Sequence, residues 1–256
     1  MTQSVLAGSL RVAARWDAGA LTGWNVQLVR PPVARALVGL APADALARVP
    51  LYFSLCAKAQ REAGRLALAA AGCVADAPVP SWQLWAECLH EHLWRLLLDW
   101  PRLAGEAPRA PAFAAWRAAR GLGQAAVIDA TRQVAAELPA IAEAADQLAA
   151  FAAAARALEE DRPYPWGNAG NPGAGVGEAW VHTARGRLRH ALCVEDGRVV
   201  AWRIDAPTDR NFADEKGIVE RLPARLPSLA AARRAVETAV LQLDPCVPYT
   251  VEIVDA

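Results

Sequence analysis

The chain has 256 residues, with 27 basic and 27 acidic side chains and a formal net charge of zero. That length supports a substantial core, in one large domain or two small ones. The balanced charge gives no general field for duplex nucleic acid, and the Ala-rich stretch 144–157 is too broken by Asp146, Gln147 and Arg156 to span a bilayer.

Leu10, Val12 and Ala14 alternate with Arg11, Ala13 and Arg15, and Trp24, Val26 and Leu28 alternate again after Asp17-Ala18-Gly19. This predicts a β-hairpin over 5–30, ended by Pro31-Pro32. A short helix starts near Pro42. Helical spacing follows over 51–71 and over 82–100, where Trp82, Trp85, Leu89, Leu93, Leu96 and Leu97 share one broad face. Pro101 is expected to stop that helix. Further helices are predicted over 111–120 and 123–160, with a break near Pro139. Segment 161–177 is rich in Pro, Gly and Asn and reads as a binding-loop candidate. Strands follow over 179–183, 188–194 and 199–204, the last two joined through Asp196-Gly197. A helix over 228–241 has Ser228 as its N-cap, and a final strand covers 247–254. The expectation is one α+β domain over 1–256, with a helical middle (43–160), a β-rich C-terminal region (178–256) and small β elements from both ends.

The five cysteines, Cys56, Cys73, Cys88, Cys193 and Cys246, are odd in number and widely spread. A reducing, cytoplasmic setting is the simpler expectation. The first eight residues lack the basic and apolar regions of a signal peptide. Cys73, Cys88 and Cys193 read as small core residues. His90 and His92, two apart on a helix, face different ways and form no helical metal pair. Asp44, Glu62, Glu87 and Glu91 read as solvated. The Gly-rich stretch 167–177 lacks the Gly-Lys-Ser/Thr ending of a phosphate loop.

Cys56 and Cys246 have sharper contexts. Leu51-Tyr52-Phe53-Ser54-Leu55-Cys56-Ala57-Lys58-Ala59-Gln60 resembles the N-terminal Cys-x-x-Cys segment of nickel–iron hydrogenase large subunits, with Phe53 in place of the first cysteine. Asp244-Pro245-Cys246-Val247-Pro248-Tyr249 resembles the C-terminal one, with Tyr249 in place of the second. Ala184-Arg185-Gly186-Arg187-Leu188-Arg189-His190 is similar to the Ala-Pro-Arg-Gly-x-Leu-x-His segment, and Pro207-Thr208-Asp209-Arg210-Asn211 to the Pro-Ser/Thr-x-x-Asn loop. Ala7-Gly8-Ser9-Leu10-Arg11 resembles the Glu-Gly-His-Leu-Arg start. The ordered set covers almost the whole chain, which is shorter than a large subunit in its helical middle. Short proteins of this kind form the HupK/HoxV group of hydrogenase accessory proteins.

The resemblance implies a truncated large-subunit-like fold. It implies a scaffold that binds iron carrying cyanide and carbon monoxide and passes it to the apo large subunit. The donor would be a HypC–HypD-type assembly complex. Cys56 and Cys246 would be the metal-binding thiolates, and Arg185, Pro207 and Thr208 would face the diatomic ligands. Neither Arg185 nor Thr208 is expected to fill the core. The departures are as informative. Gln60 replaces a histidine, Ala7 and Ser9 replace glutamate and histidine, and two of nickel's four cysteines are missing. No nickel and no catalysis are therefore expected. No cysteine or histidine follows Cys246, so a cleavable extension is not expected. Two other readings stay open: a degenerate hydrogenase-like subunit with residual redox activity, and a metal-free chaperone-like binding protein. A Cys56–Cys246 disulfide also stays open.

Overall fold

The computed structural model describes residues 8–73, 76–168 and 174–256. In chain order the elements open with strands β1 (Ser9–Asp17) and β2 (Ala20–Val29). The helical middle holds α1 (Pro42–Arg48), α2 (Ala57–Ala70), α3 (Ser81–Trp94), α4 (Trp100–Ala104), α5 (Ala110–Ala119), α6 (Gln124–Ala135) and α7 (Ala145–Glu159). Then come β3 (Trp166–Asn168), β4 (Val176–Thr183), β5 (Gly186–Glu195) and β6 (Arg198–Asp205). The chain closes with α8 (Pro207–Asn211), α9 (Lys216–Val219), α10 (Leu229–Leu243) and β7 (Tyr249–Asp255). The architecture is α+β, as expected.

The terminal hairpin turns through Ala18 (φ 43°) and Gly19 (φ 101°), positive at both positions, so the turn follows the strands' own twist. β7 adds to the free edge of β1, parallel to it, giving the order β2-β1-β7. The register pairs Ser9 with Val29 and Leu10 with Tyr249. One end of this sheet therefore gathers the start of β1, the exit of β2 at Arg30 and the entry of β7 just after Cys246. Leu10, Val12 and Ile253 pack on Val236 and Val240 of α10, with Phe212 and Ile218 closing this smaller core. Ser228 caps α10, its hydroxyl accepting from Ala231 N at 3.2 Å.

The second sheet has the order β3-β4-β5-β6, antiparallel throughout. It packs on α2. The approach is closest at Gly177, where a Cβ would overlap the Ala67 carbonyl. The main core surrounds α3, with Leu89, Leu93, Leu96, Leu97, Trp100, Trp116 and Phe151 buried together.

Four expectations need correction. The helix predicted from residue 51 starts at Ala57. Val49–Tyr52 form a 3-10 turn, and Phe53 is extended (φ −128°, ψ 110°) before the chain reaches Cys56. Pro101 does not end the long helix. The chain passes through a π turn over Arg95–Asp99 into α4, with Pro101 in its first turn. The Leu97 carbonyl, which Pro101 has no N–H to serve, accepts from Arg109 N at 2.8 Å. Segment 161–177 is not wholly loop, since Trp166–Asn168 pair with β4. Residues 169–173 of that candidate loop, and Ala7 of the N-terminal motif, lie outside the described residues. Finally, Glu62, Glu87 and Glu91 are buried rather than solvated. Glu62 pairs with Arg65 at 2.6 Å and accepts from Val79 N at 2.9 Å. Glu87 accepts from Lys58 N and Ala59 N, at 2.8 and 2.9 Å, and so satisfies the first turn of α2.

These buried groups set a pH profile. Burial pushes His90 and His92 down to about 4 and His190 to about 3. The unfolded imidazoles take protons below their ordinary 6.5, so this contribution is full above pH 6.5 and lost as pH falls. Burial pushes Glu87 up to about 7 and Glu91 to about 8. Their contribution is full below the ordinary 4.5 and lost as pH rises through 7 and 8. Between 4.5 and 6.5 three imidazoles outnumber two carboxyls. Urea midpoints should peak at about pH 6.5 to 7 and fall on both sides. A midpoint still rising at about pH 9 would contradict this assignment.

Candidate functional site

Cys56 is the N-cap residue of α2, reached through the extended Phe53 segment, and is buried. Cys246 follows the left-handed C-cap of α10 at Asp244 (φ 51°) and precedes β7. Elements far apart in the chain thus deliver the two thiols to the wall of one cavity of about 270 Å³. Arg30, Pro31, Tyr52, Phe53, Ala206 and Asp209 also line it. All five cysteines are free thiols. Burial, then the nearby Glu91 carboxylate, then Cys246, push the Cys56 thiol well above the usual range. Cys88 is buried, as expected of a core residue, with its sulfur 3.6 Å from His92 Nε2. Cys73 and Cys193 are half-buried.

The two positions that lack a cysteine diverge. Phe53 lines the cavity. Tyr249 sits in β7 opposite Leu10 and borders a separate cleft beside Asp99. Among the described residues no cluster of three or more His, Cys, Asp or Glu is placed to hold a metal ion. A metal group on this wall would take two protein thiolates and would have to bring its other ligands with it.

Thr208 reaches Cys246 directly. Its hydroxyl donates to Cys246 Sγ at 3.2 Å and accepts from Cys246 N at 3.2 Å. It sits fully buried in α8, with Pro207 at the first helical position. Thr208→Val keeps the shape and leaves the Cys246 N–H unpaired. We expect a loss of roughly 1–3 kcal/mol in urea unfolding of the metal-free protein, with Ala206→Gly as a nearby control. An unchanged midpoint would remove Thr208 from the support of Cys246.

Arg185 lies in the tight turn between β4 and β5, and its side chain is buried rather than on the cavity wall, contrary to the expectation that it fills no core space. Pro207 and Thr208 are buried too. Arg185 Nε donates to the Asp244 carbonyl at 2.6 Å, and its Nη1 donates to Glu91. Arg95 Nε donates to Asp244 Oδ1 at 2.6 Å, and Arg95 Nη2 to the Pro245 carbonyl at 2.5 Å. Two guanidinium groups therefore clamp the residues just before Cys246. Burial works against the Arg185 cation. Asp244 and Glu91, and then the two sulfurs, more than offset it and hold its pKa above the ordinary arginine value. The cost of burying this charge is met by partners on two other elements, which is the arrangement an interior arginine requires.

No family model matches the chain. The protein HupK of Azotobacter vinelandii is 28% identical over 346 aligned positions, covering 98% of this chain and all of that protein. HupV of Azotobacter chroococcum mcd 1 is 28% identical over 344 positions with the same coverage. HoxV of Cupriavidus necator is 40% identical over 83 positions, 30% of this chain and 22% of that protein. Each is described as a hydrogenase expression/formation protein. The chain is similar to the HupK/HoxV proteins over nearly its whole length. The first two alignments have more positions than the chain has residues, so those relatives carry segments that this chain lacks.

Gln60 stands where the hydrogenase resemblance would put a histidine, and the fold gives it a defined task. Trp202 Nε1 donates to His190 Nδ1 at 3.1 Å. The other ring nitrogen therefore carries the proton, and His190 Nε2 donates to Gln60 Oε1 at 2.7 Å. That turns the Gln60 amide nitrogen toward Cys56 Sγ, 3.7 Å away. Trp202, His190, Gln60 and Cys56 are all buried. Sequence reasoning missed this relay, as it missed Arg30, Glu91 and Asp244. Arg30 carried one visible signal, its place just before Pro31-Pro32 at the end of the hairpin. The others depend on long-range contacts, with Glu91–Arg185 94, Gln60–His190 130 and Arg95–Asp244 149 positions apart, which no local pattern encodes.

Proposed function

We propose that this chain is a maturation scaffold for nickel–iron hydrogenase. It receives iron carrying cyanide and carbon monoxide from a HypC–HypD-type complex and passes it toward the apo large subunit, with no hydrogen turnover of its own. The observation that carries this reading is the shared cavity of Cys56 and Cys246. The names of the relatives, hydrogenase expression/formation proteins, supply the maturation context.

The chemistry is consistent from the residues upward. Thiolates suit iron bearing strong-field diatomic ligands, and cyanide and carbon monoxide complete the coordination that two sulfurs leave open. Binding as thiolates releases the thiol protons, and Cys56 enters the process protonated because of its burial. Thr208, already on Cys246, has a hydroxyl that can turn to a cyanide nitrogen. Pro207 fixes the backbone that presents it. Arg185 acts from behind the wall, through the Asp244–Cys246 segment and close to both sulfurs. Nickel in a hydrogenase takes four thiolates, so two leave the second metal without its set. The convergence of both chain ends on one sheet supports a truncated large-subunit-like fold. A metal-free chaperone gives no reason for the two cysteines to share a wall.

The test is infrared spectroscopy with elemental analysis, on protein produced in a host that makes the iron group. The expected result is carbon monoxide and cyanide stretches, with iron and little nickel. Protein without these bands, or with nickel in stoichiometric amount, would overturn the proposal.

A further inference from the structure

The cavity has a cation of its own that neither the motifs nor the relatives assign. Arg30 leaves β2 at the sheet end that also receives β7, and so stands beside Cys246. Its Nη2 donates to Cys246 Sγ at 3.1 Å. Its Nε lies 2.8 Å from Asp209 Oδ1 but is not aimed along that line, and this buried N–H has no aligned acceptor. Asp209 is about two-fifths exposed and is shared with the Ala206 N–H at 3.3 Å. Both residues line the cavity with the two cysteines. Arg185, by contrast, is spent on Glu91 and Asp244 and does not reach the wall.

We propose that Arg30, held in place by Asp209, is the anion-receiving position of this cavity, binding the acceptor end of a small anion whose other end lies against Cys246. A guanidinium with an unaligned N–H offers charge-assisted hydrogen bonds to such a ligand at no cost to an existing one. Resting on the function proposed above, the anion is the iron group and the acceptor is a cyanide nitrogen. Asp209 sets the strength of the position: it keeps the empty guanidinium oriented and competes with the incoming anion.

The position can be read without the iron group, by charge-selective alkylation of Cys246. Rates for anionic iodoacetate and neutral iodoacetamide are compared by peptide mass spectrometry on the full metal-free chain. Their ratio cancels the thiol's own reactivity and its exposure, so a merely structural effect would not move it. Focused charge in a cleft raises local anion encounter by about 10-fold or more. The iodoacetate-to-iodoacetamide ratio at Cys246 should therefore fall by about 10-fold in Arg30→Gln, stay near wild type in Arg30→Lys, and rise in Asp209→Asn. Equal ratios in the wild type and Arg30→Gln would overturn the proposal, as would a ratio in Asp209→Asn no higher than wild type. In protein that carries the iron group, Arg30→Gln should also shift the cyanide stretches more than the carbon monoxide stretch. If the wild type never loads while the alkylation ratios behave as stated, the scaffold reading fails and the anion position stands.

Discussion

Cys56→Ala protein from a host that makes the iron–cyanide–carbonyl group is expected to emerge without iron. Cys246→Ala is expected to do nearly the same. On the proposed function the two sulfurs are the only protein ligands of the iron on this wall, so losing one would leave a single thiolate. Outer partners of a metal group tune affinity by about 10–100-fold, and loss of a direct ligand should exceed that range. The two variants differ in their side effects. Cys56 is buried and its sulfur accepts the weak Gln60 contact, so alanine there leaves a small void and an intact fold. Cys246 accepts from both Arg30 and Thr208, so alanine there also frees two donors. Iron per chain and the infrared bands are the readouts, with circular dichroism to show that each variant folds. If Cys56→Ala carried iron and cyanide at wild-type levels, the two-thiolate anchor would be wrong.

Arg185→Ala is expected to destabilise the metal-free chain by about 3–5 kcal/mol, the cost of removing one partner from a buried ion pair. Glu91 and Asp244 are both buried against this guanidinium. Asp244 keeps Arg95 at 2.6 Å, while Arg185 is the cation hydrogen-bonded to Glu91. The loss should therefore fall mainly on Glu91, and the double variant Arg185→Ala, Glu91→Gln should recover much of it. Domains of this kind have a total stability of about 5–15 kcal/mol, so the single variant would stand near the folding threshold. Urea unfolding at about pH 9, above the Glu91 pKa of about 8 so that the pair is ionised, measures both. A loss in Arg185→Ala below about 1 kcal/mol would mean that the pair is solvated, contrary to its burial. Any weakening of iron binding in Arg185→Ala must be compared with this double variant, because a loosened Asp244–Cys246 segment would also misplace a ligand.

Local pattern determined much of this protein. Alternation placed the terminal hairpin and the β4–β6 meander, because a half-buried strand writes its two faces into a period of two. Asp196-Gly197 marked its own turn, with φ of 47° and 72°. Ser228 marked the start of α10. The ordered motifs also singled out Cys56, Arg185, Thr208 and Cys246 from single residues whose ordinary meaning is bland. What only the tertiary structure decided was which of these meet, and how. The parallel pairing of β7 with β1 joins the two ends of the chain, and such long-range pairing leaves no mark in either strand alone. That pairing sets Arg30 beside Cys246. Burial was misread for the same reason. Glu87, Glu91 and Arg185 are charged residues on an amphipathic helix and in a turn, and sequence assigns charge to solvent. The fold instead surrounds α3 on all sides, so these charges must find each other, the N–H groups of α2, or the Asp244 segment that carries Cys246.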